Sequence, residues 1–220
     1  METEGRVRLA EVFVGLRDPR RSGKVDATPL HLVSAFAAGS GLVLGQRATA
    51  EKSNEKTAIP ELFATLALED CIVTIDAMGT QPTIAQAIRD RGAHYILSMK
   101  DNQPKLADSV QDFFIAFQSA PDKTPHRFDE VIEKDHGRLE VRRCYAFNQI
   151  NCLHAPQRWP DITSFAVIAS ERTIKGKTTL EHRLCISSLP ARCRVPESCG
   201  PSALAGGEQP ALVYGCRLRR

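Results

Sequence analysis

Asp76 closes the apolar run Cys71-Ile-Val-Thr-Ile and is succeeded by Ala-Met-Gly, so it is expected at the C-terminal end of a buried strand. A carboxylate held there is rigid and meets solvent at the sheet edge, which is how a hard cation such as Mg2+ takes its oxygen ligands. Paired ions could then activate water and steady the leaving oxygen in phosphodiester cleavage. The same Asp also reads as a turn former or a cap before the next helix. Glu140 lies in His136-Gly-Arg-Leu-Glu-Val-Arg-Arg, where charges alternate as on the exposed face of a strand. It is a candidate second metal ligand, with Arg138, Arg142 and Arg143 against DNA phosphate, or else a member of cross-strand charge pairs. Lys100 could touch phosphate, while Asp101 or Asn102 beside it could cap a helix. Arg20 and Arg21, in Arg-Arg-Ser-Gly-Lys, either meet phosphates or form a solvated turn. The remaining histidines are isolated and read as structural.

These residues need elements to position them. Residues 1–28 are hard to read, with Val12-Phe-Val-Gly a possible short strand. From Pro29 onward, Leu30-His-Leu-Val-Ser-Ala-Phe and Leu42-Val-Leu-Gly-Gln flank Ala37-Ala-Gly-Ser-Gly and predict a β-hairpin. Ile59, Leu62, Phe63 and Leu66 predict a helix over 57–68. After the Asp76 strand, Thr80 can cap a helix with Pro82 in its first turn, and Gly92 stands where a left-handed stop belongs. His94-Tyr-Ile-Leu-Ser-Met is a further strand, and Pro104 opens a helix with Leu106, Val110, Phe113, Phe114 and Phe117 along one side. This order is that of an α/β layer with some parallel pairing. From about 126 the pattern turns antiparallel, with strands expected at 139–147, 163–170 and 178–188. Beyond Pro190 periodicity vanishes.

Composition narrows the classes. The chain has 220 residues, 42% hydrophobic and 25% charged, which suffices for one full core. No apolar run approaches a membrane span, and the acidic start argues against a secretory leader. The net charge of +3 lies in residues 191–220, which hold five arginines against two glutamates. The body is therefore neutral, and any DNA affinity must come from local patches. The seven cysteines form no Cys-x-x-Cys, which fits a reducing cytoplasm better than a zinc site or a disulfide framework.

Six motifs in order carry a family likeness: Pro29-Leu-His-Leu-Val-Ser-Ala-Phe, Glu51-Lys-Ser-Asn-Glu, Ile75-Asp-Ala-Met-Gly, Tyr95-Ile-Leu, Lys100-Asp-Asn-Gln-Pro and His136-Gly-Arg-Leu-Glu. Together they resemble the ISAs family of bacterial insertion-sequence transposases, relatives of the H-repeat-associated proteins, over residues 20 to 190. The resemblance implies the DDE type, an RNase H-like mixed sheet with flanking helices and an antiparallel β-rich C-terminal part. Two Asp and one Glu would bind Mg2+ or Mn2+, cut transposon ends and pass the 3′-hydroxyl to target DNA. Asp76 matches the second Asp. The first belongs to an Asp-Gly-Lys-Thr strand end five residues before Arg-Arg-Ser, where this chain has Gly15, with Asp18 the carboxylate nearby. Glu140 matches an accessory position, and the helix bearing the family's Glu is missing. Written in plausible codons and read one base later, residues 202–216 become Pro-His-Trp-Arg-Val-Glu-Asn-Ser-Leu-His-Trp-Cys-Met-Asp-Val, which is that helix.

The expectation is thus a poorly matched segment at 1–28, an incomplete DDE domain at 29–190 and an out-of-frame tail at 191–220. It would be a bacterial cytoplasmic transposase remnant without activity. Its alternative is a non-catalytic fragment that occupies transposon ends or pairs with full-length transposase as an inhibitor. An unrelated α/β small-molecule binder lacks any Gly-x-Gly-x-x-Gly or phosphate loop to support it.

Overall fold

A computed structural model describes residues 10–17, 31–38, 40–49, 55–135 and 138–192. The first strand, β1 (Ala10–Arg17), sits in the middle of the sheet, with Val12 and Val14 both buried. It is longer than the short run expected around Val12. Antiparallel β2 (His31–Ala37) and β3 (Leu42–Thr49) lie on one side of it as the expected hairpin. On the other side β4 (Cys71–Ile75) and β5 (His94–Met99) run parallel to β1. Every residue of β4 is buried, as a strand covered on both faces requires.

Helix α1 (Glu55–Phe63) ends before the expected residue 68, because Thr65 turns back and its hydroxyl donates to the Leu62 carbonyl at 2.8 Å. Leu68 then packs into the core from the succeeding turn. Helix α2 (Pro82–Arg89) is stopped by Gly92 at φ +70°, where a side chain would be strained. Helix α3 (Pro104–Ser119) buries Leu106, Val110, Phe114 and Phe117, the side anticipated from their spacing. All three helices close over one face of the sheet, in a core that includes Ile59, Leu62, Ile84, Ile88, Tyr95 and Leu97. The opposite face carries a smaller apolar cluster of Ile72, Ile96, Cys144, Ile168 and Cys185.

The C-terminal part is a four-stranded antiparallel meander: β6 (Arg127–Asp135), β7 (Arg138–Phe147), β8 (Ser164–Ile174) and β9 (Lys177–Ser187). Strand β9 pairs with β5, so one nine-stranded sheet runs β3-β2-β1-β4-β5-β9-β8-β7-β6. Sequence pattern alone does not single out β6. It is an edge strand whose Phe128 and Ile132 stay exposed, so it lacks the buried alternation that marks a strand. Strands β1 to β5 have the RNase H-like order, and the meander is the antiparallel β-rich part expected beside it.

The meander outgrows the sheet. Met99, the last residue of β5, pairs with Leu184, so the earlier part of β9 has no β5 neighbour. Strands β6 to β9 therefore continue past the C-terminal edge of β4 and β5 by roughly 25 Å, at about 3.4 Å per residue.

Candidate active site

Asp76 comes directly after Ile75 at the C-terminal edge of β4, where a parallel sheet opens to solvent. It caps the short 3-10 turn Ala77–Gly79, its carboxylate accepting the Met78 N–H at 3.2 Å. The capping role and a half-buried carboxylate at the sheet edge thus coexist in one residue. Burial pushes its carboxyl above the usual carboxylate range, opposed by the N–H groups of Met78 and Gly79 and by the Lys100 charge.

The loop carrying Asp76 is tied down from two directions. Thr80, expected as a helix cap, is fully buried, and its hydroxyl donates to the carbonyls of Asp76 and Ser98. Gln81 takes the N-cap position of α2 without a side-chain bond. Asn102 does not cap α3 either; that position is Gln103. Instead the Asn102 amide donates to the carbonyls of Ala77 and Thr80, and its oxygen accepts the Lys100 N–H. Gln103 also donates to the Thr80 carbonyl at 3.2 Å. The Lys-Asp-Asn-Gln-Pro motif is therefore a clamp on the Asp76 loop. Its trace in the sequence is an amide-rich stretch between a strand and a proline-opened helix, which reads equally well as a cap.

The neighbours of Asp76 are set by register. Val14 pairs with Ile75, which sets Gly15 beside Asp76 on the adjacent strand and on the same sheet face. Gly15 faces Ser34, and Ser34 faces Gln46, whose amide donates to the Ser34 hydroxyl at 3.1 Å. The row leading away from Asp76 is therefore glycine, serine and glutamine. A Cβ at Gly15 would lie 2.7 Å from the Phe13 ring, which occupies the space a longer side chain would need. Asp18, Arg20 and Arg21 lie outside the described residues.

Glu140 is not brought to Asp76. The pairing chain Ile75–Leu97–Ile186–Phe165–Phe147 places Asp76 level with Ala146, four strands away from β4. Glu140 lies six residues further out, on the order of 25–30 Å from Asp76 at ordinary sheet spacings. There it accepts from Arg138 and pairs with Arg142 at 3.1 Å, while Arg142 also pairs with Glu133. Arg143 is held by Glu130 at 2.6 Å and Glu171 at 3.2 Å. These arginines neutralise carboxylates within the sheet, which is the cross-strand pairing reading of the motif. Lys100 is exposed beside Asp76 and also borders a cleft of about 250 Å³ lined by Asp101, Asp108, Gln111 and His182.

Among the described residues no three His, Cys, Asp or Glu side chains converge. Two ions held in register need several carboxylates, and Asp18, directly after β1, lies outside the described residues.

Comparison with known proteins decides the family. The transposase DDE domain matches residues 20–174, more than half of the chain. The chain belongs to the transposase DDE domain family. This DDE domain is 35% identical over 170 residues to an uncharacterized protein encoded in the dhlA 3′ region of Xanthobacter autotrophicus, covering 77% of this chain and 57% of that protein. It is 51% identical over 85 residues to YncI of Escherichia coli K12, which bears a transposase name, covering 39% of this chain and 34% of YncI. With the H repeat-associated protein YhhI of the same strain, also named as a transposase, it shares 40% over 113 residues, or 51% of this chain and 29% of YhhI. The DDE domain thus spans 29% to 57% of these relatives' lengths. A solved piggyBac transposase synaptic complex with hairpin DNA aligns at TM-score 0.43 and 9% identity, over 87% of this chain and 35% of that one. The family and the insertion-sequence kinship read from the six motifs are those the comparisons find.

Proposed function

We propose that this chain is the DNA-engaging domain of an insertion-sequence transposase whose strand-cleavage chemistry has been lost. The reaction class of such a domain is metal-assisted phosphoryl transfer, hydrolysis at element ends and then strand transfer to target DNA. One observation carries the reading: Gly15 stands beside Asp76 at the sheet edge, where a second carboxylate is required. A single Asp cannot fix two Mg2+ or Mn2+ ions, and phosphoryl transfer depends on their spacing. Asp18 comes directly after β1, and it is the remaining carboxylate that could complete the site. The partners are element-end and target DNA in a bacterial cytoplasm. No described helix is long and apolar enough to cross a membrane.

The same glycine favours a second role. A chain that keeps the fold but lacks the ligand set can occupy DNA ends, or pair with intact transposase, and so inhibit transposition. Residues 193–220 lie outside the described residues. Their reading as an out-of-frame tail rests on the shifted translation of 202–216, and sequencing the coding DNA tests it directly: stops in that frame remove it.

Calorimetric titration of Mg2+ and Mn2+ tests the loss of chemistry. The unsubstituted chain and Asp76→Ala should both show no saturable heat, whereas Gly15→Asp should gain binding once the Phe13 ring swings aside. Saturable binding by the unsubstituted chain that disappears in Asp76→Ala and Asp18→Ala overturns the proposal and makes Asp18 the completing ligand.

A further inference from the structure

The projecting end of the meander is a four-stranded antiparallel arm, with the β8–β9 turn at its tip level with Asp135 of β6 and Arg138 of β7. The β8–β9 turn is tight: Lys175 and Gly176 both have positive φ, at 50° and 77°. Two-residue turns of this kind match the right-handed twist of the strands they join and make a stiff hairpin.

Charge is distributed unevenly along the arm. Along the arm, and at Arg138 beside its tip, the arginines are consumed: Arg138 and Arg142 by Glu140 and Glu133, Arg143 by Glu130 and Glu171, and Arg183 approaches Glu181 at 4.0 Å. At the β8–β9 tip, Arg172, Lys175 and Lys177 are exposed, and none of them has a carboxylate within ion-pair distance among the described residues. Thr173, Thr178 and Thr179 flank them and add neutral hydroxyls. A neutral body with three uncompensated cations at the end of a stiff projection is an electrostatic contact placed at a distance from the sheet.

Register also settles which way the tip faces. Arg172 pairs with Glu140 of β7 and Thr179 of β9, and Lys177 with Ile174. Counting alternate residues back through β9 and β5, Arg172 and Lys177 lie on the face that carries Ser98, Thr74 and Gly15, the face of the Asp76 carboxylate. A polyanion lying along the edge at Asp76 therefore has the arm rising beside it, with Arg172 and Lys177 on the sheet face that Asp76 shares. The arm's reach of roughly 25 Å is enough to cross the width of a duplex groove, about 12 Å for the major groove of B-DNA.

We propose that the β8–β9 tip is a phosphate-binding finger for duplex DNA, gripping the backbone through Arg172, Lys175 and Lys177 without reading sequence. The inference rests on the DNA-engaging function proposed above and adds the surface that performs it. Arg138 and Arg142, the arginines the sequence pattern favours, are excluded by their carboxylate partners. The contact is with phosphate because the tip offers point charges and hydroxyls but no Asn, Gln or paired Arg to match a base edge.

The test is fluorescence anisotropy of a labelled random-sequence duplex across a salt series. The variant is Arg172→Gln/Lys175→Asn/Lys177→Gln, Asn being chosen because it accepts the left-handed backbone. All three side chains are exposed, so the variant should fold, and circular dichroism checks that it does. The control removes two exposed cations at the base of the molecule, Lys123→Gln/Arg158→Gln. The slope of log affinity against log salt should shallow by about 0.9 for each lost phosphate contact, close to three units in total, and remain unchanged in the control. Binding with an unaltered slope in the triple variant overturns the finger and leaves the function standing. Failure of the unsubstituted chain to bind duplex DNA at low salt overturns both.

Discussion

Asp76 illustrates how one side chain serves two ends at a sheet edge. Its capping bond to Met78 and the burial around it pull in opposite directions, and burial is the larger effect on its carboxyl. A carboxyl whose affinity for protons is higher in the folded chain than in the unfolded one costs stability once it ionises. The folded state binds the extra proton between the unfolded and folded values, so this cost appears as pH rises through that window and stays constant above it. Asp76→Asn keeps an oxygen for the Met78 N–H and removes the charge. It should raise the urea midpoint at neutral pH, with the advantage disappearing near about pH 3, where both states are protonated. Equal midpoints at neutral pH would show that the edge solvates the charge fully.

Among the elements, α3 joins the RNase H-like half to the meander. Phe113 and Phe117 of α3 meet Phe147 of β7 with ring centroids 5.0 Å apart in both cases, and Phe165 of β8 lies 5.2 Å from Phe147. Phe147 is fully buried at the centre of this group. The two contacts with α3 are edge-to-face and the Phe147–Phe165 pair is stacked, geometries that add to the area the rings remove from water. Phe147→Ala should cost about 3–5 kcal/mol in chemical denaturation, since it opens a cavity between a helix and two strands that cannot collapse together. A loss below about 1 kcal/mol, on that same scale, would mean that the arm is not anchored through this cluster. The phenylalanines of the junction are spread over α3, β7 and β8, so their spacing on α3 showed one apolar side and not its partners.

At the scale of the whole molecule, no described strand pairs with either edge of the sheet, β3 or β6. Strand β3 forms one edge and carries Leu42, Val43 and Leu44 in succession, 63%, 51% and 43% exposed. Consecutive apolar residues on an unpaired edge invite another strand. Sedimentation at rising concentration should therefore show self-association, reduced by Val43→Lys, a charge of the kind that protects natural edges; a monomer at all concentrations would show that the edge is silent. Much of the fold is legible in the chain because β4, β5, α2 and α3 each carry a complete local signal: a buried run, a helical stripe, a proline opening or a glycine stop. The six motifs likewise carry the family, since motif order along a chain survives without any knowledge of contacts. Strand β6 and the full extent of β1 are not legible, because an edge strand lacks buried alternation and a central strand is identified only by what lies on each side. The site divides in the same way. That Asp76 ends a strand is local information, and that Gly15 stands where the family's motif has an Asp follows from motif alignment without any contact. Whether Glu140 could join Asp76, which arginines remain free, and which face the tip cations share are matters of register across several strands. Register is set by side-chain packing between segments up to about a hundred residues apart, so only the assembled sheet decides it.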